Sequence, residues 1–206
     1  MTNQSAADWK AHLETLRTCA LCPEMEGPPV TGVVQGARIF LMGQAPGPRE
    51  RDSGRPFVWS AGKTLFRWFA SIGVEEACFR ERVYMGAAAR CFPGRLPGKS
   101  GDRKPSPAEV ERCGAHFERE LALLKPALVI AVGRLALDQF LTFKKLDEVV
   151  GQTFEVERQG HWFTCLPPPH PSGLSRWIQT DDGKARISAG LKRLATHPVW
   201  RETFGE

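Results

Sequence analysis

The sequence lacks both a long hydrophobic segment and an apolar N-terminal leader. No run of about 18 apolar residues occurs, so no segment has the length and character of a membrane-spanning helix. The first residues, MTNQSAADWKAHLETLR, contain no apolar stretch of the kind that directs secretion. From these two absences we expect a cytoplasmic protein with no membrane partner.

Internal repeats, low-complexity tracts and a linker that would divide the chain are also missing. The chain has 206 residues, and 42% of them are hydrophobic, which is enough to form the core of one domain. We therefore expect a single domain over residues 1–206, and a monomer.

Acidic residues are fewer than basic ones, and part of the excess is concentrated in one segment. The chain carries 28 Lys and Arg against 23 Asp and Glu, a net charge of +5. Residues 90–104 (RCFPGRLPGKSGDRK) are rich in Gly and Pro, which predicts an exposed loop. This loop is either simply solvated or binds a polyanion. It contains one acid, Asp102, and five basic residues: Arg90, Arg95, Lys99, Arg103 and Lys104.

Short apolar runs alternate with segments of helical period, which predicts an α/β domain. We expect a three-layer α/β/α sandwich with a central, mostly parallel four-stranded sheet, whose ligand site lies beyond the carboxyl ends of the strands. The loops at 43–62, after residue 91 and at 167–176 should face one cleft. The predicted strands are 38–43, 82–89, 127–133 and 161–166, and the predicted helices are 5–17, 61–73, 106–125, 133–141 and 188–197.

Five short motifs occur in a specific order along most of the chain. Together they resemble the iron-sulfur branch of the uracil-DNA glycosylase superfamily, families four and five, over roughly residues 19–176. The resemblance implies a monofunctional DNA-repair glycosylase that hydrolyses the N-glycosidic bond of uracil, and leaves an abasic site in DNA. The motifs are GQAPG (43–47), GRPFVWSAG (54–62), VYMGAAARC (83–91), PSPAEVERC (105–113) and HPSGLS (170–175).

The chain has six cysteines, which in a cytoplasmic protein are metal ligands or buried thiols more often than disulfides. The resemblance implies that four of them bind a 4Fe-4S cluster. A structural zinc ion accepts the same four thiolates, but the resemblance favours iron-sulfur. Cys78 and Cys165 match no ligand position, and we interpret them as core thiols. The implied ligands are Cys19, Cys22, Cys91 and Cys113.

Twenty-one residues separate Cys91 from Cys113, more than we expect for this family. The extra length lies in the basic segment. Because that loop would be tethered at both ends by cluster ligands, we expect it to follow a DNA backbone.

The resemblance also implies roles for the third loop and for Phe57. His170 would donate an N–H to the pyrimidine O2, where negative charge grows as the base departs. Phe57 would stack on the base after its extrusion from the helix. In the same loop as His170, Ser172 and Arg176 would contact DNA phosphates, and Leu174 would fill the gap left by the extruded nucleotide.

Two departures from the family pattern concern the reacting base. Gln44 takes the place of a carboxylate that assists water in the GEAPG motif, and Ala45 replaces an aspartate of the best-known branch. Glu50 or Asp52, a few residues later, is a candidate replacement for the missing carboxylate.

The second departure is Ala87, which replaces a uracil-reading asparagine. We expect relaxed specificity that extends to other deaminated bases, because alanine supplies no hydrogen bond to discriminate between bases. The expected catalytic residues are His170 and Gln44, and the expected base-binding residues are Gly43, Ala45, Phe57 and Ala87.

The missing carboxylate and Ala87 also suit a second interpretation, a non-catalytic protein that binds damaged or abasic DNA on the same fold. A third interpretation is a zinc-stabilised α/β domain that binds a nucleotide.

Overall fold

The sheet of this computed structural model, which describes residues 3–96, 98, 101–171 and 176–205, has five strands in the order β2-β1-β3-β5-β4. Four strands run parallel, and β4 pairs antiparallel with β5 at one edge. The side chains of residues 3, 4 and 176 are not described. The strands are β1 (Ile39–Gly43), β2 (Tyr84–Ala87), β3 (Leu128–Ala131), β4 (Phe154–Arg158) and β5 (His161–Leu166).

The predicted α/β class with a mostly parallel sheet is confirmed, and the predicted number of strands is one too few. The missed strand, β4, has the sequence FEVER, in which Phe154 and Val156 are half-buried while Glu155 and Glu157 are exposed. A strand that buries only one face at the edge of a sheet does not form the continuous apolar run that marks the other four.

Helices cover both faces of the sheet, which gives the three predicted layers. Side chains of α1, α5 and α6 pack against one face, and side chains of α3, α4, α7 and α8 pack against the other. In the described part of the chain the helices are α1 (Asn3–Arg17), α2 (Pro48–Ser53), α3 (Ser60–Ala70), α4 (Glu76–Arg82), α5 (Pro107–Leu124), α6 (Arg134–Leu137), α7 (Asp181–Thr196) and α8 (Pro198–Phe204). None of the helices in these ranges is long and apolar enough to cross a membrane.

Three helices were not predicted, and one begins earlier than predicted. The polar segment of α2 has no apolar period, and it is held by a capping interaction of Glu50 with the backbone of Gly47. Helix α7 begins at Asp181 instead of residue 188 because Thr180 caps it by accepting a hydrogen bond from the Gly183 N–H.

The four parallel strands end at the same edge of the sheet. Gly43, the last residue of β1, is in register with Ala87, the last residue of β2. The β3 strand lies on the other side of β1, and β5 lies next to β3. The loops that carry the sequence motifs therefore leave the sheet from one edge, as expected for an open α/β sheet.

Candidate active site and cysteine cavity

The GQAPG turn is joined by backbone hydrogen bonds to the segment that follows β2. The Ala88 N–H donates to the Gly43 carbonyl at 2.9 Å, and the Ala89 N–H donates to the Gln44 carbonyl at 3.1 Å. Ala87 is buried beside this turn. Within the described residues the half-buried Gln44 side-chain amide has no hydrogen-bond partner, so its donor and acceptor atoms can serve a ligand.

Phe57 packs directly on Gly43, with its backbone in the left-handed region at φ 54°. A Cβ placed on Gly43 would lie 2.8 Å from Cζ of the Phe57 ring, so glycine is required there. Arg80 stabilises this backbone by donating to the carbonyls of Pro56 and Phe57 at 2.8 and 2.9 Å. A non-glycine residue in this conformation costs about 1–3 kcal/mol and is characteristic of functional sites. The ring is partly buried and also packs against the core.

The Glu50 carboxylate stabilises the GQAPG turn through hydrogen bonds to backbone N–H groups. Its Oε2 accepts the Gly47 N–H and its Oε1 accepts the Trp59 N–H, both at 3.2 Å. Asp52 is exposed and pairs with Arg51. Of the two carboxylates considered as replacements for the one missing from the motif, Glu50 is therefore committed to backbone groups and Asp52 to a surface ion pair.

Asp102 is a carboxylate beside the turn, although its sequence position marks it only as a charge in the basic loop. Its Oδ2 lies 3.6 Å from the position of a Cβ on Gly47, close to the Glu50 carboxylate. Partial burial raises the pKa of Asp102, Arg95 opposes this shift, and Glu50 adds to it. A Gly/Pro-rich loop has no periodic pattern that could have revealed this contact.

His170 is carried by a proline segment that packs into the protein. Pro167 and Pro169 are buried, and the Pro168 carbonyl accepts the Gly133 N–H at 3.1 Å. Gly133 has φ 82°, and a Cβ there would lie 2.9 Å from the Cβ of His170, so this glycine makes room for the histidine. Burial lowers the pKa of His170, which favours the neutral imidazole.

The remaining residues of this arm fall largely outside the described ranges. Ser172 and Leu174 lie outside them, and of Arg176 only the backbone is described, at the start of a 3₁₀ turn (Arg176–Gln179).

The four candidate ligand cysteines line one cavity of about 230 Å³ between α1 and α5. The pKa of Cys91 is raised to about 12, mainly by burial. The nearby Cys113, Cys19 and Cys22 raise it further, because neighbouring thiolates would repel one another. Among the described residues no three or more His, Cys, Asp or Glu side chains are arranged to hold a single metal ion.

Arg90 is 1% exposed at the side chain and lines the same cavity. The prediction that Arg90 belongs to the exposed loop charge is wrong, because its guanidinium pairs with the fully buried Glu120. Glu120 also accepts the Tyr84 hydroxyl at 2.5 Å, and lies 3.3 Å from Nε2 of His12. The Arg90 backbone N–H donates to Sγ of Cys113 at 3.4 Å.

The cavity suits an anionic cluster bound by thiolates. The Arg90 cation is buried close to Cys113, with which it interacts electrostatically, and Nε and Nη1 of its guanidinium have no hydrogen-bond acceptor within the described part of the chain. Ala45 packs against the small apolar group of Met25, Ala89 and Cys113, so the GQAPG turn is in contact with the cavity wall. Of the two remaining cysteines, Cys165 is fully buried as predicted, whereas Cys78 is half-buried.

The basic loop folds back on itself and is anchored at its second half. Arg95 and Asp102 form an isolated β-bridge. Arg103 donates to both carboxylate oxygens of Glu109, at 2.8 and 2.6 Å, and this pairing is the main reason that the pKa of Glu109 is lowered to about 2. Lys99 lies outside the described residues, while Arg95 and Lys104 are exposed.

Comparison with known proteins gives a consistent result. Residues 30–192 match the family model of the Uracil DNA glycosylase superfamily. The chain is 36% identical over 144 residues to the type-4 uracil-DNA glycosylase of Archaeoglobus fulgidus, with 67% of each chain covered. It is 30% identical over 168 residues to the type-4 enzyme of Thermotoga maritima, covering 79% of this chain and 81% of the relative. The type-5 uracil-DNA glycosylase of Thermus thermophilus is 31% identical over 165 residues, covering 65% of this chain and 72% of the relative.

Proposed function

Because the chain belongs to the uracil-DNA glycosylase superfamily, we propose that it repairs DNA by hydrolysing the N-glycosidic bond of uracil, leaving an abasic site. The proposal is supported by one feature of the structure in addition to the family match. The Gly43–Phe57 contact and the His170 arm lie at the carboxyl edge of the same parallel sheet, where such folds bind ligands.

Extrusion of the base comes first, because the bond is inaccessible in a stacked strand. Phe57 offers its ring as the stacking surface, and its contact with Gly43 fixes the position of that ring. We assign the base-binding pocket to Gly43, Gln44, Ala45 and Phe57, with Ala87 as its neighbour on β2. The Gln44 amide can donate to the base and accept from it.

His170 stabilises the charge that develops on the base. As the glycosidic bond breaks, negative charge accumulates on the pyrimidine O2, and a neutral imidazole N–H at that oxygen stabilises it. Neither residue 44 nor residue 45 is a carboxylate, and Glu50 is bound to backbone N–H groups. Catalysis therefore depends mainly on anion stabilisation and positioning, with His170 as the principal catalytic residue.

The DNA strand is held by residues around this pocket. We assign phosphate contacts to Ser172 and Arg176 and the wedge role to Leu174. Exposed Arg95 and Lys104 contribute charge from the basic loop.

The cysteine cavity is assigned to a 4Fe-4S cluster, held by Cys19, Cys22, Cys91 and Cys113. Four thiolates are the ligand set for such a cluster, and the Arg90 cation, buried close to Cys113, suits its negative charge. When bound, the cluster supplies a cross-link among the segment after α1, the loop after β2 and α5. Arg90 and the Ala45 contact then connect that cross-link to the active-site turn.

Substitution of Cys113 by serine should remove the cluster, because one of four thiolates is lost from a buried site. Anaerobically purified C113S should lack broad visible absorption and contain little iron and sulfide. Cys78→Ser is the matched control and should retain both. Zinc at one equivalent, without iron, in the wild-type protein would contradict the cluster assignment.

Substitution of Ala87 by asparagine should narrow the base specificity. An amide at this position can both donate to and accept from the uracil edge, so A87N should increase the ratio of uracil excision to hypoxanthine or xanthine excision. Single-turnover rates on three otherwise identical oligonucleotides measure this ratio. High selectivity for uracil in the wild-type protein would show that Ala87 does not relax specificity.

The activity itself is tested with purified wild-type protein and uracil-containing oligonucleotides, single- and double-stranded. Alkaline cleavage should reveal abasic sites in numbers that exceed the number of enzyme molecules. Tight, salt-sensitive DNA binding with no abasic product at any protein excess would instead identify a non-catalytic damage-binding protein.

A further inference from the structure

Trp59 is a large aromatic side chain exposed to solvent beside the active-site turn. Its exposed fraction is 52%, and two cations flank its ring. Cζ of Arg49 lies 5.0 Å from the ring centroid, and Nζ of Lys63 lies 5.6 Å from it. An exposed tryptophan with cations close to its ring can bind a nucleic-acid base by stacking and the neighbouring phosphate by charge.

The position of Trp59 relative to the proposed base pocket is fixed by the backbone. Its N–H donates to Glu50, whose other oxygen accepts the Gly47 N–H of the GQAPG turn. Phe57, which packs on Gly43, lies two residues earlier. Trp59 therefore stands at the rim of the pocket, and outside the residues assigned to the base itself.

A groove that contains three basic residues lies beside α3, beyond Trp59 and Lys63, which do not line it. Trp59 precedes α3, and Lys63 and Arg67 follow it at intervals of four residues, which places the three on one side of the helix. Arg67 lines a groove of about 500 Å³ between α3 and α7, together with Lys184 and Lys192 of α7.

The character of this groove favours a polyanion. Thr64, Ser71 and Ser188 add hydroxyl groups to its walls, five other lining residues are apolar, and no Asp or Glu occurs among its described lining residues. Gln179, in the 3₁₀ turn that continues the His170 arm, also lines it. The groove therefore reaches the 3₁₀ turn that follows the arm in sequence.

We propose that Trp59 and this groove form a second binding surface for the DNA strand that carries the target base. Trp59 stacks on a base that flanks the extruded nucleotide, and Arg67, Lys184 and Lys192 bind phosphates farther along the same strand. The inference rests on the proposed function for the identity of the strand, but binding can be measured without catalysis.

Trp59→Ala tests the stacking contact. Affinity for a single-stranded uracil oligonucleotide of about 15 nucleotides, within the span of one nucleic-acid-binding site, should fall about 5- to 150-fold, the loss of one stacked base. Trp59→Phe should restore most of the affinity. The slope of log K against log salt should not change, because tryptophan carries no charge. Trp162→Ala is the matched control, since Trp162 is 65% exposed on the edge hairpin of β4 and β5 and should bind as wild type.

The double variant Arg67→Gln with Lys192→Gln tests the groove. The salt slope should decrease by about 0.7 for each phosphate of a single strand that the variant no longer neutralises. Excision from a minimal oligonucleotide, with one nucleotide on each side of uracil, should proceed at the wild-type rate once the enzyme is saturating, because that substrate does not reach the groove.

The outcomes separate this inference from the proposed function. Absence of excision by wild type on every substrate overturns the function, while the binding series still decides the surface. Equal affinities of W59A and W162A, with an unchanged slope in the groove variant, overturn the surface even if excision is normal. The melting temperature of each variant shows whether it is folded. If the melting temperature of W59A is well below that of the wild type, the salt slope of the groove variant decides whether the second binding surface exists.

Discussion

Replacement of His170 by alanine should lower the single-turnover rate of uracil release by about 100- to 1,000-fold, the usual loss when one oxyanion donor is removed. The effect should be large because the GQAPG turn, at the same edge of the sheet, offers Gln44 and Ala45 where related motifs carry carboxylates. Binding of uracil DNA should change little, since the N–H acts on charge that develops during bond cleavage. Rapid-quench assays at saturating enzyme, paired with anisotropy titrations, separate the two effects.

Two further variants define the role of the imidazole. His170→Gln keeps an N–H donor and should recover part of the lost rate. His161→Ala is the matched control, because His161 lies at the opposite end of β5, where its Nε2 contacts the Pro126 carbonyl at 2.8 Å. A rate for H170A within about threefold of wild type, well under the range for an oxyanion donor, would exclude the assigned role.

Replacement of Glu120 by alanine should lower the free energy of unfolding by about 3–5 kcal/mol, because it leaves the Arg90 cation buried without its partner. Glu120 is fully buried and also accepts a hydrogen bond from Tyr84. For a protein of this size the melting temperature should fall by about 2–4 °C per kcal/mol. Urea unfolding followed by far-ultraviolet circular dichroism gives the free energy, and differential scanning calorimetry gives the melting temperature.

Glu111→Ala provides the control for this substitution. Glu111 is exposed on the same helix, so its replacement should change the free energy by no more than about 0.5 kcal/mol. A loss below about 1 kcal/mol in E120A would mean that water or a rearranged side chain compensates Arg90.

The sequence predicts the sheet well where strands are buried on both faces. The β3 run, LVIA, is buried at every position, and its apolar content alone located it. One face of the edge strand β4 is exposed to solvent. The charged residues on that face interrupt the apolar run by which the other strands were predicted. Helix α5 was predicted from its helical period to within one residue at each end, and a capping box of Ser106 and Glu109 stabilises its start.

The candidate site was only partly predictable. Ordered motifs located Gly43, Phe57 and His170, because glycine, aromatic and histidine positions are visible in one sequence. The interactions that hold the site in place could not be predicted. The partners of Glu50 are backbone N–H groups, and the partner of Arg90, Glu120, lies thirty residues away on another element. Contacts of this kind depend on the packing of α5 against the sheet, which local patterns do not specify.

The buried network around Glu120 also gives the protein an optical property. Tyr84 is the chain's single tyrosine, and burial, reinforced by the Glu120 carboxylate, raises its pKa well above that of a free phenol. We therefore expect the phenol to ionise at a higher pH in the folded protein than in the unfolded chain. In alkaline solution between these two pH values, the ultraviolet absorption of ionised tyrosine should report loss of the packing between β2 and α5.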